Sequence, residues 1–203
     1  MHNTLRSRDI IPAKQPYNQP PWTYNGSEQN DSLPPDIVDW VLVELKDTAF
    51  QTVARKAALL KTNGHIVEPD GTSELCIGQG ADSLYLVVHH RNHLSVMSAM
   101  PLYLDENIST FNFTTDQTQA FGTEPMIEVN PGMFAFPAGN GLADDSISTE
   151  DINSAWGPEA GTTGYRQSDF NLNGEVQNDD KNLYWKVARG KSSGIPSGNK
   201  ANR

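Results

Sequence analysis

Oxygen-bearing residues recur at alternate positions in the stretch from Asp169 to Asp180. Carboxylate, amide and backbone oxygens are the ligands of a hard cation such as Ca²⁺, and they converge when the chain wraps around the ion. Gly174 stands where such a loop turns sharply, and Val176 follows as an apolar residue expected to point inward. The pattern predicts a calcium loop of the EF-hand type. Its predicted ligands are Asp169, Asn171, Asn173, Glu175 through its backbone carbonyl, and Asp180 from the first turn of a following helix.

A second stretch, residues 140–151, aligns position by position with residues 169–180. The alignment puts Ile147 over Val176, so each stretch carries an apolar residue at the same place. We refer to residues 140–151 as the first loop, to residues 169–180 as the second loop, and to the offset between Ile147 and Val176 as the repeat spacing. The predicted ligands of the first loop are Asn140, Asp144, Ser146 and Asp151.

The first loop departs from the pattern at two positions. Leu142 stands where a liganding Asp or Asn is expected, and Asp145 stands where the glycine is expected. Asp tolerates the left-handed backbone better than most residues, so the turn remains accessible. We expect the first loop to bind calcium weakly or to be held by packing alone. The alternative for both stretches is a pair of Asx-rich surface turns between helices.

Two loops that end in Asp, each leading into one short helix, resemble a type I dockerin module. The resemblance spans residues 138–196 and is specific in the second loop and weaker in the first. It implies calcium binding through the ligands named above. Dockerins of cellulolytic complexes bind cohesins, and dockerin-like pairs also end many large secreted bacterial proteins that have no known cohesin. We expect Ile147 and Val176 to form the centre of the pair. The expected apolar residues of the helix faces are Ile152, Trp156, Leu183 and Trp185.

Short runs rich in β-branched and aromatic residues precede this module, separated by Gly, Asn and Asp turns. Such spacing is typical of an antiparallel sandwich. The predicted fold is therefore mainly β, an antiparallel β-sandwich of jelly-roll or Ig-like type followed by a small α-helical dockerin-like module. The predicted strands are 36–45, 52–60, 65–67, 74–77, 83–90, 94–98, 109–115, 124–129 and 132–137.

The chain of 203 residues is long enough for two small domains. Residues 1–35 contain six prolines among Asn, Gln, Ser and Tyr, a composition that favours an extended arm. The predicted divisions are a Pro-rich arm at 1–35, a β-sandwich domain at 36–137, a dockerin-like module at 138–190 and a flexible basic tail at 191–203.

The β-rich part also carries a resemblance. The segments Val38–Leu45, Ala57–Leu60, Asp70–Gly71 and His90–Ser98 resemble a module that precedes dockerin-like repeats at the carboxyl end of large secreted bacterial surface proteins. This resemblance brings no known catalytic activity. It implies that the chain is the tail of a longer protein.

Composition limits the partners and surroundings that the sequence favours. A formal net charge of -10 and a pI near 4.8 argue against nucleic acid and anionic membranes, which favour basic surfaces. No stretch approaches the roughly 20 apolar residues of a membrane span. Cys76 is the single cysteine and lies in an apolar run, which predicts a buried thiol. Extracellular or cell-surface, calcium-rich surroundings fit this composition.

Two further groups of residues are candidate sites. His89, Arg91 and His93 would share one face if their segment were a strand, and a metal-dependent hydrolase would need a third ligand from elsewhere, such as His65. A polar strand end, with Arg91 paired to a carboxylate, is the simpler interpretation. Trp22 and Tyr24 are the candidates for stacking on a sugar ring.

These observations predict a non-enzymatic, extracellular structural or interaction protein. Calcium would stabilise it as an attachment or assembly module of a larger surface protein or filament, with one calcium site and a second, degenerate one. Its predicted partner is a protein, either another copy of the chain or a cohesin-like domain. The alternative is a carbohydrate-binding or cohesin-docking tail of a secreted enzyme.

Overall fold

The computed structural model of the chain describes residues 1–77, 83–103 and 110–196. Within these ranges the protein is mainly β, its strands pair antiparallel, and its helices are few and short. The predicted β-rich class is confirmed. The strands are β1 Ile37–Lys46, β2 Thr52–Lys61, β3 Ile66–Val67, β4 Ser83–His90, β5 His93–Met97, β6 Leu102–Tyr103, β7 Ile127–Asn130 and β8 Met133–Ala135.

One sheet has the strand order β3-β2-β1-β4-β5, with β6 paired to β4, and β7 and β8 form a separate hairpin. β1 lies at the centre because half of its residues are β-branched or aromatic and all but the last are buried. It pairs with β2 on one side and with β4 on the other, so that Leu42 lies opposite both Ala57 and His89.

The two faces of β1 pack against different parts of the chain. Trp40 and Leu42 contact the residues before the strand, which include Leu5 and Tyr17. Side chains on a strand alternate, so the residues between them face the other way. On this opposite face of the sheet, Val41 and Val43 of β1 are joined by residues of the neighbouring strands, and together they pack on Phe113, Ala120 and Met126. The residues from the neighbouring strands are Ala58, Val88 and Val96.

The segment predicted as an extended arm is folded onto the sheet. It contains a short helix, α1, at Thr4–Ser7, and Leu5 and Tyr17 are fully buried. The Tyr17 hydroxyl donates to the Trp40 carbonyl at 2.8 Å, and the Trp40 indole donates to the Pro12 carbonyl at 2.9 Å. Because both polar tips are satisfied by backbone, the two rings can be buried at little cost.

Three local predictions are wrong. Residues 110–115 of the predicted strand 109–115 contain a 3₁₀ turn, Phe113–Thr115, because the Asn112 side chain accepts from the Thr114 amide and favours a turn. Residues 74–77 form only an isolated bridge at Glu74, and the Cys76 thiol is exposed rather than buried. Ser109 and residues 197–203 of the predicted tail lie outside the described residues.

The second sheet of the expected sandwich is not apparent in the described ranges, where the β7–β8 hairpin and two 3₁₀ turns cover that face of the main sheet. The sandwich therefore stays a prediction. No helix in residues 1–77, 83–103 and 110–196 is long and apolar enough to cross a membrane.

Two helices of equal construction follow the loops. α2 begins with a π-helical stretch, Asp151–Trp156, and continues as an α-helical turn, Gly157–Glu159. α3 has the same construction, with Asp180–Trp185 followed by Lys186–Ala188. Each element of α3 lies one repeat spacing after its counterpart in α2, so the repeat in the sequence is also a repeat in the fold.

Candidate metal centre

The second loop is closed by two buried carboxylates at its ends. Asp169 and Asp180 are fully buried. The Asp169 carboxylate accepts from the Asn173 amide at 3.0 Å and from the Gly174 amide at 2.8 Å. The Asp180 carboxylate accepts from the Asn171 amide at 3.1 Å and from the Gln177 amide at 2.7 Å. The hydrogen bonds to these two carboxylates fix the backbone of the loop at both of its ends.

The middle of the second loop is stabilised by side chains that bond to the backbone two residues ahead. The Asn171 side chain accepts from the Asn173 amide at 3.0 Å, and the Asn173 side chain accepts from the Glu175 amide at 2.8 Å. The Glu175 carboxylate pairs with Arg8 at 2.8 Å. Its side chain is therefore committed to the N-terminal segment, which leaves the backbone carbonyl as the candidate donor.

The first loop repeats this bonding at the equivalent positions. The Asp151 carboxylate accepts from the Leu142 amide at 3.1 Å and from the Ser148 amide at 2.7 Å. The Asn140 side chain accepts from the Asp144 amide at 3.1 Å, and the Asp144 side chain accepts from the Ser146 amide at 2.8 Å. The two loops therefore share these hydrogen bonds despite their different residues.

The loops differ where the sequence departs from the pattern. Leu142 offers no side-chain oxygen and is 37% exposed. Gly174 has a φ of 85°, whereas Asp145 is not among the residues with positive φ, so its tolerance of that region is not used. The left-handed residues common to both loops are Ala143 and Leu172, with φ of 55° and 60°. Nothing about either residue type in the sequence signals this conformation.

The two repeats are joined by reciprocal backbone bonds. Residues just after α2 bond to the second loop, and residues just after α3 bond to the first loop. Each bond has its counterpart in the other repeat, which gives the pair an approximate two-fold symmetry. The bonds are Gly161 N to Val176 O (2.8 Å), Val176 N to Thr162 O (2.9 Å), Gly190 N to Ile147 O (2.8 Å) and Ile147 N to Lys191 O (2.9 Å).

The apolar core of the pair contains residues of both loops and of α3. Ile147 and Val176 are buried, and Trp185 is 8% exposed and donates its indole N–H to the Ser148 carbonyl at 2.8 Å. Trp156 makes the equivalent bond to the Gln177 carbonyl at 3.1 Å. Ile152 packs on the same cluster.

Leu183 does not contribute to this packing, contrary to the expectation from sequence. Its side chain is 61% exposed, because the buried face of α3 is formed by Trp185 and Ala188. Tyr184 and Val187 share the exposure, at 39% and 61%.

Burial dominates the electrostatics of both loops. It raises the pKa of Asp169 to about 6, although the nearby Arg91 charge opposes the shift, and Asp180 adds to it by repulsion. Burial also raises the pKa of Asp151 and of Asp180. Carboxylates held inside a loop with raised pKa values are stabilised by a cation that replaces the lost hydration.

The chemistry of the donors fits a hard cation. In the second loop they are two carboxylates, two amide oxygens and a backbone carbonyl, all oxygen ligands of the kind that Ca²⁺ takes. The first loop offers two carboxylates, an amide and a hydroxyl. No group of three or more His, Cys, Asp or Glu side chains that could hold a metal ion occurs in the described part of the chain. A calcium ion would thus depend on the amide and backbone donors.

Comparisons of the chain with protein-family models, with curated proteins and with solved structures found no match.

The histidine cluster does not lie along a single strand. β4 ends at His90 and β5 begins at His93, so Arg91 and Asn92 form the turn of a hairpin rather than part of a strand. The alternation expected for His89, Arg91 and His93 therefore does not apply.

Carboxylates from β1 contact this cluster. The Arg91 guanidinium lies 2.9 Å from Asp39, and His90 lies 3.2 Å from the same carboxylate. His89 pairs with Glu44 at 2.8 Å. Burial lowers the pKa of His93 well below its usual value. The expected pairing of Arg91 with a carboxylate is confirmed.

The two aromatic residues considered for sugar binding pack on the protein. Trp22 lies edge-on to Tyr17 with ring centroids 5.0 Å apart, and both Trp22 and Tyr24 pack on the core that includes Trp40. The Arg55 guanidinium lies 5.7 Å from the Tyr24 ring centroid. Their role in carbohydrate binding stays a prediction.

Several residues around the loops could not be found by inspecting the sequence. Arg8 contacts Glu175, and an added Cβ at Gly174 would lie 2.6 Å from Ile10, so the N-terminal segment packs on the second loop. Asn92 contacts both loops. These contacts join residues that are far apart along the chain, and no local pattern indicates them.

Proposed function

We propose that the protein is a calcium-stabilised attachment or assembly module of a larger extracellular surface protein. The observation that carries this proposal is the reciprocal pair of loops, in which two aligned stretches share one set of hydrogen bonds and present only oxygen donors. The second loop is the stronger site, and the first is weaker because Leu142 supplies no ligand. Calcium has a structural role.

The distribution of charge supports a requirement for a cation. Residues 138–180 contain nine acidic residues and a single basic one, Arg166. Without a bound ion these charges repel one another, and three of the carboxylates are buried. Calcium binding removes the repulsion and couples the folding of the loops to the availability of the ion.

The exposed face of α3 supports an interaction role. Leu183, Tyr184 and Val187 form an apolar patch, which we call the α3 patch. The residues at the equivalent positions of α2 are Ser154, Ala155 and Pro158, so the repeat folds without large apolar groups at these places. Contiguous exposed apolar residues on a soluble protein mark sites of contact with other proteins. The proposed occupant is a second copy of the chain.

A cohesin-like domain is the second candidate occupant, and the same patch favours it. A pull-down with cohesin domains separates this candidate from self-assembly. The carbohydrate alternative has no comparable support, and a glycan array tests it through Trp22 and Tyr24.

Calorimetric titration of the full chain with calcium tests the proposal. We expect a saturable binding heat and a rise in melting temperature, because a ligand that binds only the folded state stabilises it. Asp180→Asn should weaken binding by about tenfold or more, since affinity in such loops follows ligand charge. Asp179→Asn is the matched control, because Asp179 is exposed beside it. Absence of both heat and stabilisation in the wild type would refute the calcium function.

A further inference from the structure

Asn92 connects the β domain to both loops. It lies in the turn between β4 and β5 and is fully buried. Its backbone carbonyl accepts from the amides of Gly139 and Asn140, each at 3.1 Å. Its side-chain amide donates to the Asp169 carbonyl at 2.7 Å. One residue therefore bonds to the first residue of the first loop and to the first residue of the second loop.

The turn that carries Asn92 is itself fixed from both sides. The Arg91 guanidinium donates to the Arg166 carbonyl, and the Gln167 side chain donates back to the Arg91 carbonyl. Asp39 on β1 holds Arg91 at 2.9 Å. The chain entering the second loop is thereby attached to the central strand of the sheet.

We infer that Asn92 is a positioning residue for calcium binding, and that it is the link through which calcium in the second loop stabilises the β domain. This inference rests on the calcium function proposed above. The first ligand of a loop sets where the remaining donors close around the ion, and a bond to its carbonyl fixes that ligand against a rigid hairpin. Asn92 is not one of the predicted ligands.

The two kinds of bond made by Asn92 predict an asymmetric effect. Asn92→Ala removes the side-chain bond to Asp169 and leaves the backbone carbonyl available to Gly139 and Asn140. The second loop should therefore lose calcium affinity by about tenfold, whereas the first loop should change by less than about twofold. A residue with a merely structural role would weaken both loops together.

The matched control is Asn30→Ala. The Asn30 side chain also donates to a backbone carbonyl, that of Pro69, at 2.8 Å, but it lies in the N-terminal segment. The experiment is a calcium titration of the full chain followed by amide NMR, which reports the two loops separately through Asp144 and Gly174. The control should bind calcium as the wild type does.

Amide hydrogen exchange gives a second readout that does not need the metal. With a chelator present, Asn92→Ala should speed exchange at Asn173 and Gly174, whose amides bond to Asp169, relative to Leu142 in the first loop. With calcium present, the wild type should gain protection at Leu94 in β5, and Asn92→Ala should lose that gain. Exchange within β1 reports whether the sheet is intact.

The outcomes separate the inference from the calcium function. If the wild type binds no calcium, the calcium function fails and this inference fails with it. If the wild type binds calcium and Asn92→Ala binds it as well as Asn30→Ala does, the inference alone is overturned. An equal loss in both loops with faster exchange in β1 also overturns it. If Asn92→Ala does not fold, Gln167→Ala removes one bond from the same turn. A loss of calcium affinity confined to the second loop in that variant supports the link, and an unchanged affinity contradicts it.

Discussion

Asp39 shows how one buried carboxylate organises the junction between the sheet and the loops. Its carboxylate is fully buried and lies 2.9 Å from Arg91 Nε, while the Tyr165 hydroxyl donates to it at 2.6 Å. Burial alone would raise the pKa of Asp39, but Arg91, His90 and Tyr165 together lower it well below its usual range. Arg91 also stacks on Tyr165, with its guanidinium 4.3 Å from the ring centroid.

Replacement of Asp39 by Asn should be strongly destabilising. The substitution leaves the buried Arg91 charge without the carboxylate to which it is hydrogen-bonded, and breaking a buried ion pair typically costs about 3–5 kcal/mol. Asp36→Asn is the control, because Asp36 pairs with Lys61 at 2.8 Å but its side chain is 43% exposed, and it should cost less than about 1 kcal/mol. Urea unfolding in calcium measures both. Equal small losses would show that Asp39 does not hold the junction.

Glu44 predicts a pH dependence of stability. Burial opposes its ionisation, but His89, Thr52 and Lys46 outweigh burial and lower the pKa of Glu44 from 4.5 to about 2. A lowered folded-state pKa contributes stability that is present above the unfolded value and is lost as the pH falls through the folded value.

The comparison of the wild type with Glu44→Gln should reveal this dependence. The difference in their free energy of unfolding should shrink as the pH falls from 4.5 toward 2. Urea unfolding across this range measures it. A difference that stays constant down to pH 2 would mean that Glu44 titrates normally in the folded state.

Among the elements, the strands of the main sheet were the most predictable. β1, β2, β4 and β5 match predicted runs within one or two residues, because their β-branched residues and flanking turns are local signals. The segment around Asn112 was not predictable in the same way. Its β-prone residues favour a strand, and the Asn112 side chain overrides them by accepting from the Thr114 amide.

The sequence pattern also could not predict which residues of α3 are exposed. Leu183 and Trp185 both suit an apolar face, but only packing against the first repeat decides which of them is buried. The bridge from Asn92 to the loops was unpredictable for the same reason, since it depends on where the β4–β5 turn meets the repeats. The repeat spacing did predict which positions of the two loops are equivalent.

Gly139 gives a prediction about the docking of α3. It has a φ of 116°, and an added Cβ would lie 2.7 Å from the Trp185 Cα. Gly139→Ala must therefore displace the helix backbone as well as strain its own. Gly190→Ala is the matched control, with a φ of 91° and nothing within 4 Å of the added Cβ, and should cost only about 1–2 kcal/mol. Thermal unfolding should show a larger loss for Gly139→Ala, and equal losses would place α3 farther from Gly139.

At the scale of the whole molecule, the α3 patch predicts self-association. Leu183→Lys should reduce the sedimentation coefficient at high protein concentration without changing the melting temperature, since the side chain is exposed. Ser154→Lys changes the equivalent place on α2 and should leave association unchanged. A wild type that remains monomeric at all concentrations would exclude self-assembly through this patch.

The whole molecule also shows why the N-terminal segment cannot be treated as a separate arm. Leu5 and Tyr17 complete one face of the sheet, and Arg8 reaches the second loop. The segment thus connects the sheet core to the candidate metal centre. Calcium binding should therefore protect both the N-terminal segment and the two loops from proteases.

Crystals of the full chain grown in millimolar calcium test the central claim most directly, through an anomalous difference map. We expect a strong peak in the second loop with oxygen ligands at about 2.3–2.6 Å from Asp169, Asn171, Asn173, Glu175 and Asp180, and a weaker peak in the first loop. A map with no peak between Asp169 and Asp180 would contradict the proposal that calcium holds the paired loops together.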